Sequence, residues 1–370
     1  MHITRCANHL LRMVFCISIF TTLFAALEVV ALNEGDLAET WSDIYIAGWG
    51  RCVEHKASFD SSSLGAQSRV VFRVCGSHNQ GAPIVVIPGY TEPAVKYMEV
   101  AYDLMQLDSR HGPIILVELP GQGSDLPFTI HPNLVHMPFY DVYPRAIIAL
   151  LERLPAVTGN AQKPMVIGHS TGALAAMLVS QRRPELMGKI ILTSPLIQPK
   201  LPFPNGLASV VSSFFCFWNW CDQPVFGKQP LPLGATSFQS DYTTSSEVRW
   251  NASNNLQAKY PSYYRSGLTW GWIHSVLKMI GEMKSAKKIF TVPTKVLISG
   301  DDRFVEPDSA REICEISNNC QLKFYGSARH ELLQEIDSIR NDVFSEIKSF
   351  ASSPESVGEG WLRQVAKALI

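Results

Sequence analysis

The stretch Pro164-Met165-Val166-Ile167-Gly168-His169-Ser170-Thr171-Gly172, running into Ala173-Leu174-Ala175-Ala176-Met177-Leu178-Val179, constrains this chain more than any other. It reads as a buried strand, a sharp turn carrying a serine, and a helix that starts on small residues. Gly168 and Gly172 flank the turn, where strand and helix come too close for side-chain bulk. Such a turn lifts the Ser170 hydroxyl off the end of a sheet and aims the N–H of Thr171 at the same point. That is the layout of a nucleophile elbow. A chain built on it needs a largely parallel sheet around the strand, and a base, an acid and a second oxyanion donor from other segments.

The neighbouring segments supply the sheet. Arg69 to Val74 alternates and predicts a strand. Pro83 to Ile87, Pro113 to Val117, Lys189 to Thr193 and Thr294 to Ser299 are apolar runs suited to strands buried on both faces. Gln321 to Tyr325 is the last strand. Helical spacing follows the second strand at Val95, Met98, Ala101, Leu104 and Met105, and helices are expected over Tyr140 to Leu154, Ser309 to Ile316 and Leu332 to Phe350. Strands alternating with helices predict an α/β class, a mainly parallel, doubly wound sheet. Residues 33–68 are polar and weakly patterned, a segment lying across the domain.

From about Ile197 to Ile289 the rhythm stops. Prolines crowd 199–232, and aromatics crowd Phe214-Phe215-Cys216-Phe217-Trp218-Asn219-Trp220, with Trp250, Tyr260, Tyr263, Tyr264, Trp270 and Trp272 beyond. This reads as an inserted, mostly helical cap. Phe214, Phe215, Phe217, Trp218, Trp220 and Trp272 are candidates for an apolar substrate pocket under it, with ordinary core packing as the plainer alternative. The resulting plan is a leader at 1–31, a core at 32–196 and 290–351, the cap at 197–289, and a linker with an amphipathic tail at 352–370. That tail, Trp361 to Ile370, suits either a helix docked on the body or a membrane-surface contact.

A serine hydroxyl needs a base to take its proton and an acid to orient that base. Both belong on loops past the C-terminal ends of later strands, in the order serine, acid, histidine. Only His274 and His330 follow Ser170. His274 falls in the cap, whereas His330 follows the last strand and is the expected base. Asp301 and Asp302 both follow the preceding strand; Asp302 is preferred and Asp301 is the fallback. The second oxyanion donor is expected at Gly89-Tyr90, so that the N–H groups of Tyr90 and Thr171 form the pair. His330-Glu331-Leu332-Leu333 begins like a zinc-protease motif, but Gln334 stands where the second ligand belongs. No metal and no cofactor are expected.

With 46% hydrophobic and 18% charged residues the 370-residue chain is globular, and with a net charge of -1 and no basic run nothing points to a nucleic-acid partner. Arg5 and Arg12 precede an apolar run from Met13 to Leu27, shorter than the roughly 20 residues of a membrane span. Val29-Val30-Ala31 is a candidate cleavage site, so an exported chain with a cleaved signal peptide is favoured over an uncleaved anchor. Six of the eight cysteines follow the leader. Proximity suggests pairing Cys216 with Cys221 and Cys314 with Cys320, leaving Cys52 with Cys75; free buried thiols are the alternative.

Over roughly residues 70 to 350 the chain resembles α/β-hydrolases of the lysophospholipase L2 and monoacylglycerol lipase group. The resemblance is carried by Ile87-Pro88-Gly89-Tyr90-Thr91-Glu92 with Lys96-Tyr97-Met98-Glu99, by Pro120-Gly121-Gln122-Gly123-Ser124 and by the elbow. Asp302-Arg303-Phe304-Val305, Arg329-His330-Glu331-Leu332-Leu333-Gln334-Glu335 and, in the cap, Tyr260-Pro261-Ser262-Tyr263 also match. Pro88 and Pro120 depart from it, standing where many members have His and Arg. The resemblance implies an α/β-hydrolase fold, supports Asp302 as the acid, and implies hydrolysis of one acyl ester of a lysophospholipid or monoacylglycerol. A general carboxylesterase or a proline-type aminopeptidase on the same fold is the alternative activity, and a non-catalytic lipid-binding protein the alternative of another class.

Overall fold

The centre of the molecule is four strands of almost unbroken apolar residues, β3 (Ile84–Ile87), β4 (Ile114–Glu118), β6 (Met165–His169) and β7 (Lys189–Thr193), every one of whose residues is buried. They belong to an eight-stranded sheet in the order β1-β2-β4-β3-β6-β7-β9-β10, completed by β1 (Val53–Ser58), β2 (Arg69–Cys75), β9 (Thr294–Ser299) and β10 (Cys320–Tyr325). Pairing is parallel from β4 to β10, and β1 and β2 join antiparallel at one edge. The structure is a computed structural model that describes residues 31–60, 68–76, 81–107, 112–201, 204–226 and 236–353. The leader to Val30 and the tail at 361–370 lie outside the described residues.

Winding reverses beside β3. From β3 the chain moves to β4 on one side and then returns to place β6 on the other. The crevice past the carboxyl ends of two such strands is where open α/β sheets bind ligands. The loops after β3 and β6 begin at Pro88 and Ser170, so this topology sets the two expected oxyanion segments side by side.

Residues 33–58 are more ordered than their composition suggests. Asn33 caps α1 (Glu34–Trp41), accepting from the Asp36 N–H at 2.8 Å. The helix runs through a π-helical stretch, Ser42–Ala47, into α2 (Gly48–Arg51), and β1 follows. As an edge strand β1 leaves most of its residues in solvent, which is why it carries no apolar run.

The later helices differ from expectation at their ends. α3 (Met98–Leu107) precedes β4, and α4 (Val142–Thr158) carries Pro144 in its first turn and ends on Gly159 at φ 66°. The elbow helix is α5 (Thr171–Arg182). The helix predicted over 332–350 is broken: a 3-10 turn, Leu332–Gln334, stops before α10 (Asp337–Ser352), while α9 (Pro307–Glu315) lies between β9 and β10. Glu335 makes the break. Its carboxylate accepts from the N–H groups of Arg329 at 2.7 Å and Ile336 at 3.0 Å, offering the backbone a partner outside the helix.

Between β7 and β9 the described residues of the cap region include three α-helices: α6 (Asn205–Phe217), α7 (Glu247–Lys259) and α8 (Trp270–Ser285). α8 is shared with the core, because Val276, Met279, Ile280 and Met283 join the main apolar cluster and Glu282 holds Arg182 of α5 by two hydrogen bonds. The cap is also moored to the loop after β4. There Leu134 and Val135 (β5) pair in parallel with Gly267 and Leu268 (β8), and Arg265 donates to the carbonyls of Gly123 at 3.0 Å and Asp125 at 2.8 Å. The sulfurs of Cys52 and Cys75, of Cys216 and Cys221, and of Cys314 and Cys320 lie within bonding distance of one another.

Candidate active site

Ser170 sits at φ 50°, ψ -112°, a backbone conformation that non-glycine residues rarely adopt. Its surroundings enforce it. The Ser170 N–H donates to the Thr193 carbonyl at 3.0 Å, and its own carbonyl accepts from Leu174 and Leu196. The flanking glycines are fixed by close approach. A Cβ at Gly168 would lie 2.8 Å from the Ala173 Cα, and one at Gly172 would lie 2.4 Å from the Pro88 carbonyl oxygen. The elbow helix therefore rests directly on the end of β3.

His330 follows β10, and Asp302 follows β9. His330 Nδ1 and Asp302 Oδ2 are 2.6 Å apart, both groups buried. Asp302 Oδ1 accepts from the N–H groups of Phe304 at 2.8 Å and Val305 at 3.0 Å, so both carboxylate oxygens are engaged. Burial pushes this carboxyl up, but the hydrogen bond and charge of His330 and the two backbone donors outweigh it and hold it below its ordinary value. With Nδ1–H donated to a carboxylate, Nε2 is left as the acceptor. The Ser194 hydroxyl holds the His330 carbonyl at 2.7 Å. The His330 ring packs at 4.8 Å, centroid to centroid, on His169, the residue before Ser170, and at 5.0 Å on Phe304. Asp301 is exposed, and His274 stays in the cap beside the Ser213 hydroxyl.

The loop after β3 comes up to the serine from the other side. A Cβ at Gly89 would lie 3.3 Å from the Ser170 Cβ. Among the described residues, neither the N–H of Tyr90 nor that of Thr171, the first residue of α5, finds an acceptor. The Tyr90 ring packs 4.6 Å from that of Trp272, so of the aromatic candidates Trp272 does reach this loop. The others face solvent: Phe217, Trp218 and Trp220 are 82, 57 and 50% exposed, and Phe214 is exposed with them. α6 turns Ala208 and Ser212 inward and its aromatic C-terminus outward, and the close Cys216–Cys221 pair folds the chain back at that tip. Phe215 alone of this group turns back, stacked on Trp270 at 4.4 Å. An apolar groove of about 230 Å³ lies beside it, between Leu207, Val211, Val225, Phe226 and Trp270.

One cluster near the serine was not anticipated as functional. Glu92 Oε2 accepts from the Gly89 N–H and the Tyr97 hydroxyl, each at 2.7 Å, and lies 3.9 Å from His169 Nε2. Lys96 bridges Glu92 and Glu331 at 2.7 Å to each, joining the loop after β3 to the residue after His330. Burial raises all carboxyl pKa values here. Lys96, His169 and the hydrogen bonds of Lys96 and Tyr97 reverse that for Glu92, bringing it to about 2. Glu331 is pushed up to about 7, because Lys96 only partly offsets burial and the Glu92 charge adds to it. Burial, against the pull of Glu92, lowers His169 to about 4 and keeps it neutral. The i, i+4 spacing of Glu92 and Lys96 was the available signal; Glu331 is distant in sequence. Among the described residues no group of His, Cys, Asp and Glu is arranged to hold a metal ion.

Residues 78–337 match the family described as serine aminopeptidase, S33. The chain belongs to this family. It is a serine hydrolase of the α/β-hydrolase fold. Lysophospholipase L2 of Escherichia coli (strain K12) is 24% identical over 279 residues, covering 72% of this chain and 79% of that one. Monoglyceride lipase of Mus musculus is 25% identical over 189 residues, covering 50% and 57%. Among solved structures, a thermostable carboxyl esterase from Bacillus coagulans superposes with a TM-score of 0.61 at 12% identity over 80% of this chain and 97% of that one. A monoacylglycerol lipase from Paleococcus ferrophilus gives 0.57 at 13% over 81% and 98%. These two likenesses concern the fold.

Proposed function

We propose that this protein hydrolyses a single carboxylic ester of a lipid, a lysophospholipid or a monoacylglycerol, through a Ser170-His330-Asp302 triad. His330 Nε2 takes the Ser170 proton as Oγ attacks the acyl carbonyl, and Asp302 holds the imidazole by Nδ1 and stabilises the imidazolium. The N–H groups of Tyr90 and Thr171 donate to the oxyanion; one such donor contributes about 3 kcal/mol to the transition state. Collapse expels the alcohol, to which His330 returns the proton. Water, activated by the same base, then releases the fatty acid from Ser170. The observation that carries this reading is the buried 2.6 Å His330–Asp302 pair packed against the strained turn that holds Ser170. The lipid part rests on what the relatives are named for and on an aromatic-rich cap.

The reading extends to place and contact. An exported protein with three disulfides is supported by the leader pattern and the three close cysteine pairs. Contact with a lipid surface is supported by Phe217, Trp218 and Trp220, which present large apolar rings to solvent at one tip. A fluorophosphonate probe and a substrate panel test the whole reading. Labelling and hydrolysis of lysophospholipid or monoacylglycerol by the native protein, both absent in Ser170→Ala, are expected. Preferential turnover of short-chain nitrophenyl esters or of proline peptides would replace the lipid assignment, and labelling of Ser170→Ala would remove the nucleophile.

A further inference from the structure

We propose that the mature protein begins at Leu32 and that its α-ammonium group completes a buried ion network by pairing with Asp103. The inference rests on the leader reading and is independent of the substrate.

The backbone of residue 32 is gripped from both sides by charged side chains. Its N–H donates to Asp103 Oδ1 at 2.9 Å. Its carbonyl accepts from Arg249 Nη2 at 2.8 Å and from Arg340 Nη1 at 3.4 Å. Asp103, Arg249 and Arg340 are all buried. They come from α3, α7 and α10, so residue 32 lies where cap, core and the last helix meet.

This network is short of positive charge. Arg340 pairs with Asp103 at 2.6 Å and with Glu99 at 3.3 Å, and Arg249 pairs with Glu99 and Asp337, each at 3.0 Å. Glu34 lies 4.0 Å from Arg249. Four carboxylates thus face two guanidinium groups, Glu34 and Asp337 from the partly exposed rim; among the described residues Tyr45 and Tyr264 also face the cluster, as phenols that burial keeps neutral. Glu99 is held above its ordinary value, burial outweighing both arginines. A third cation, at the Asp103 Oδ1 that now takes only the amide N–H of residue 32, is what such a cluster lacks.

Processing supplies it. Val29-Val30-Ala31 presents a small residue just before the bond in question, and the body of the molecule starts at Ala31. A leader peptidase adds water across the Ala31–Leu32 peptide bond. The leader departs with the Ala31 carboxylate, and the Leu32 nitrogen, protonated, becomes an ammonium already within hydrogen-bond distance of Asp103. An amide N–H on a carboxylate is thereby exchanged for a charged donor with two further protons to share.

Two measurements decide the matter. The chain with its own leader is expressed in an exporting bacterium and the exported protein is weighed intact. A mass for a chain starting at Leu32 is expected; an intact leader or any other first residue overturns the proposal. Separately, a protease-released chain starting at Leu32 is compared with one carrying three extra residues before it. The Leu32 chain is expected to melt about 2 °C higher or more, with Asp103→Asn abolishing the difference. Pairing raises the ammonium pKa above its ordinary ~8, so the advantage is present below that pH and lost as pH rises through the raised value. Equal melting of the two chains at pH 7 overturns the proposal even where Asp103→Asn fails to fold.

Discussion

The sheet side and the cap side of the cleft are built by opposite means. Around Ser170 the side chains of His330, Asp302, Glu92, Lys96, Glu331 and Tyr97 are buried and tied to one another by bonds of 2.6 to 2.7 Å. On the cap, Phe214, Phe217, Trp218 and Trp220 keep half or more of their surface in solvent and touch chiefly other aromatics. Buried polar groups leave no slack, because one removed partner strands a charge in a low-dielectric site. Exposed rings packed on rings lose little when one is exchanged. The first arrangement fixes chemistry; the second leaves the choice of what is presented to it open to change.

The contrast breaks if mutations on the two sides behave alike. The largest effect is expected at Ser170→Ala, with ester turnover reduced about 10⁴-fold or more and the melting curve unchanged. Asp302→Asn should follow at about 10³- to 10⁴-fold, since it removes the acceptor that fixes the His330 tautomer. Lys96→Met leaves Glu92 and Glu331 buried without their shared cation, and urea unfolding should show a loss of about 3–5 kcal/mol. A loss below 1 kcal/mol would mean the cluster is wetter than its burial indicates.

A finer effect concerns Glu331. Its carboxyl is raised in the folded protein from 4.5 to about 7, so the folded state binds the proton more tightly than the unfolded one. The stability this contributes is complete below pH 4.5 and is lost as pH rises through 7. Wild-type Tm should therefore fall between pH 5 and 8 more than that of Glu331→Gln. The smallest effect is expected on the cap. Phe217→Ser with Trp218→Ser should change stability by about 0.5 kcal/mol or less and leave turnover of a soluble short-chain ester within about twofold. Binding to phospholipid vesicles should drop. Unchanged vesicle binding would remove the tip from the lipid contact.

Much of the sheet side was legible because its strands are continuous apolar runs and its elbow needs glycines at two fixed places. Asp302 and His330 follow strands that are themselves easy to see. What escaped was structure that advertises itself weakly. β1 is an edge strand with the sequence Val-Glu-His-Lys-Ala-Ser, whose exposure erases any apolar pattern. The break at Glu335 depends on a carboxylate reaching back to Arg329, which no local propensity encodes. Lys96 meets Glu331 across 235 positions of sequence, a relation that only the finished sheet creates. The aromatic run 214–220 is different: density of rings suggests a pocket, while burial along α6 falls on Ala208 and Ser212, with Val211 and Phe215 packed on Trp270 and the other rings in solvent.

The short pairing of Leu134 and Val135 with Gly267 and Leu268 limits how the cleft can breathe. Together with Arg265 on the Gly123 and Asp125 carbonyls it pins the foot of α8, and Arg182 with Glu282 pins the far end of the same helix. A door hung at both edges does not swing. The chain from Cys221 to Val225 is stitched to the same foot, with the N–H groups of Gly271, Trp270 and Val225 on the carbonyls of Cys221, Gln223 and Leu268, so exchanges among the exposed rings at 217–220 should leave that frame, and the chemical step at Ser170, in place.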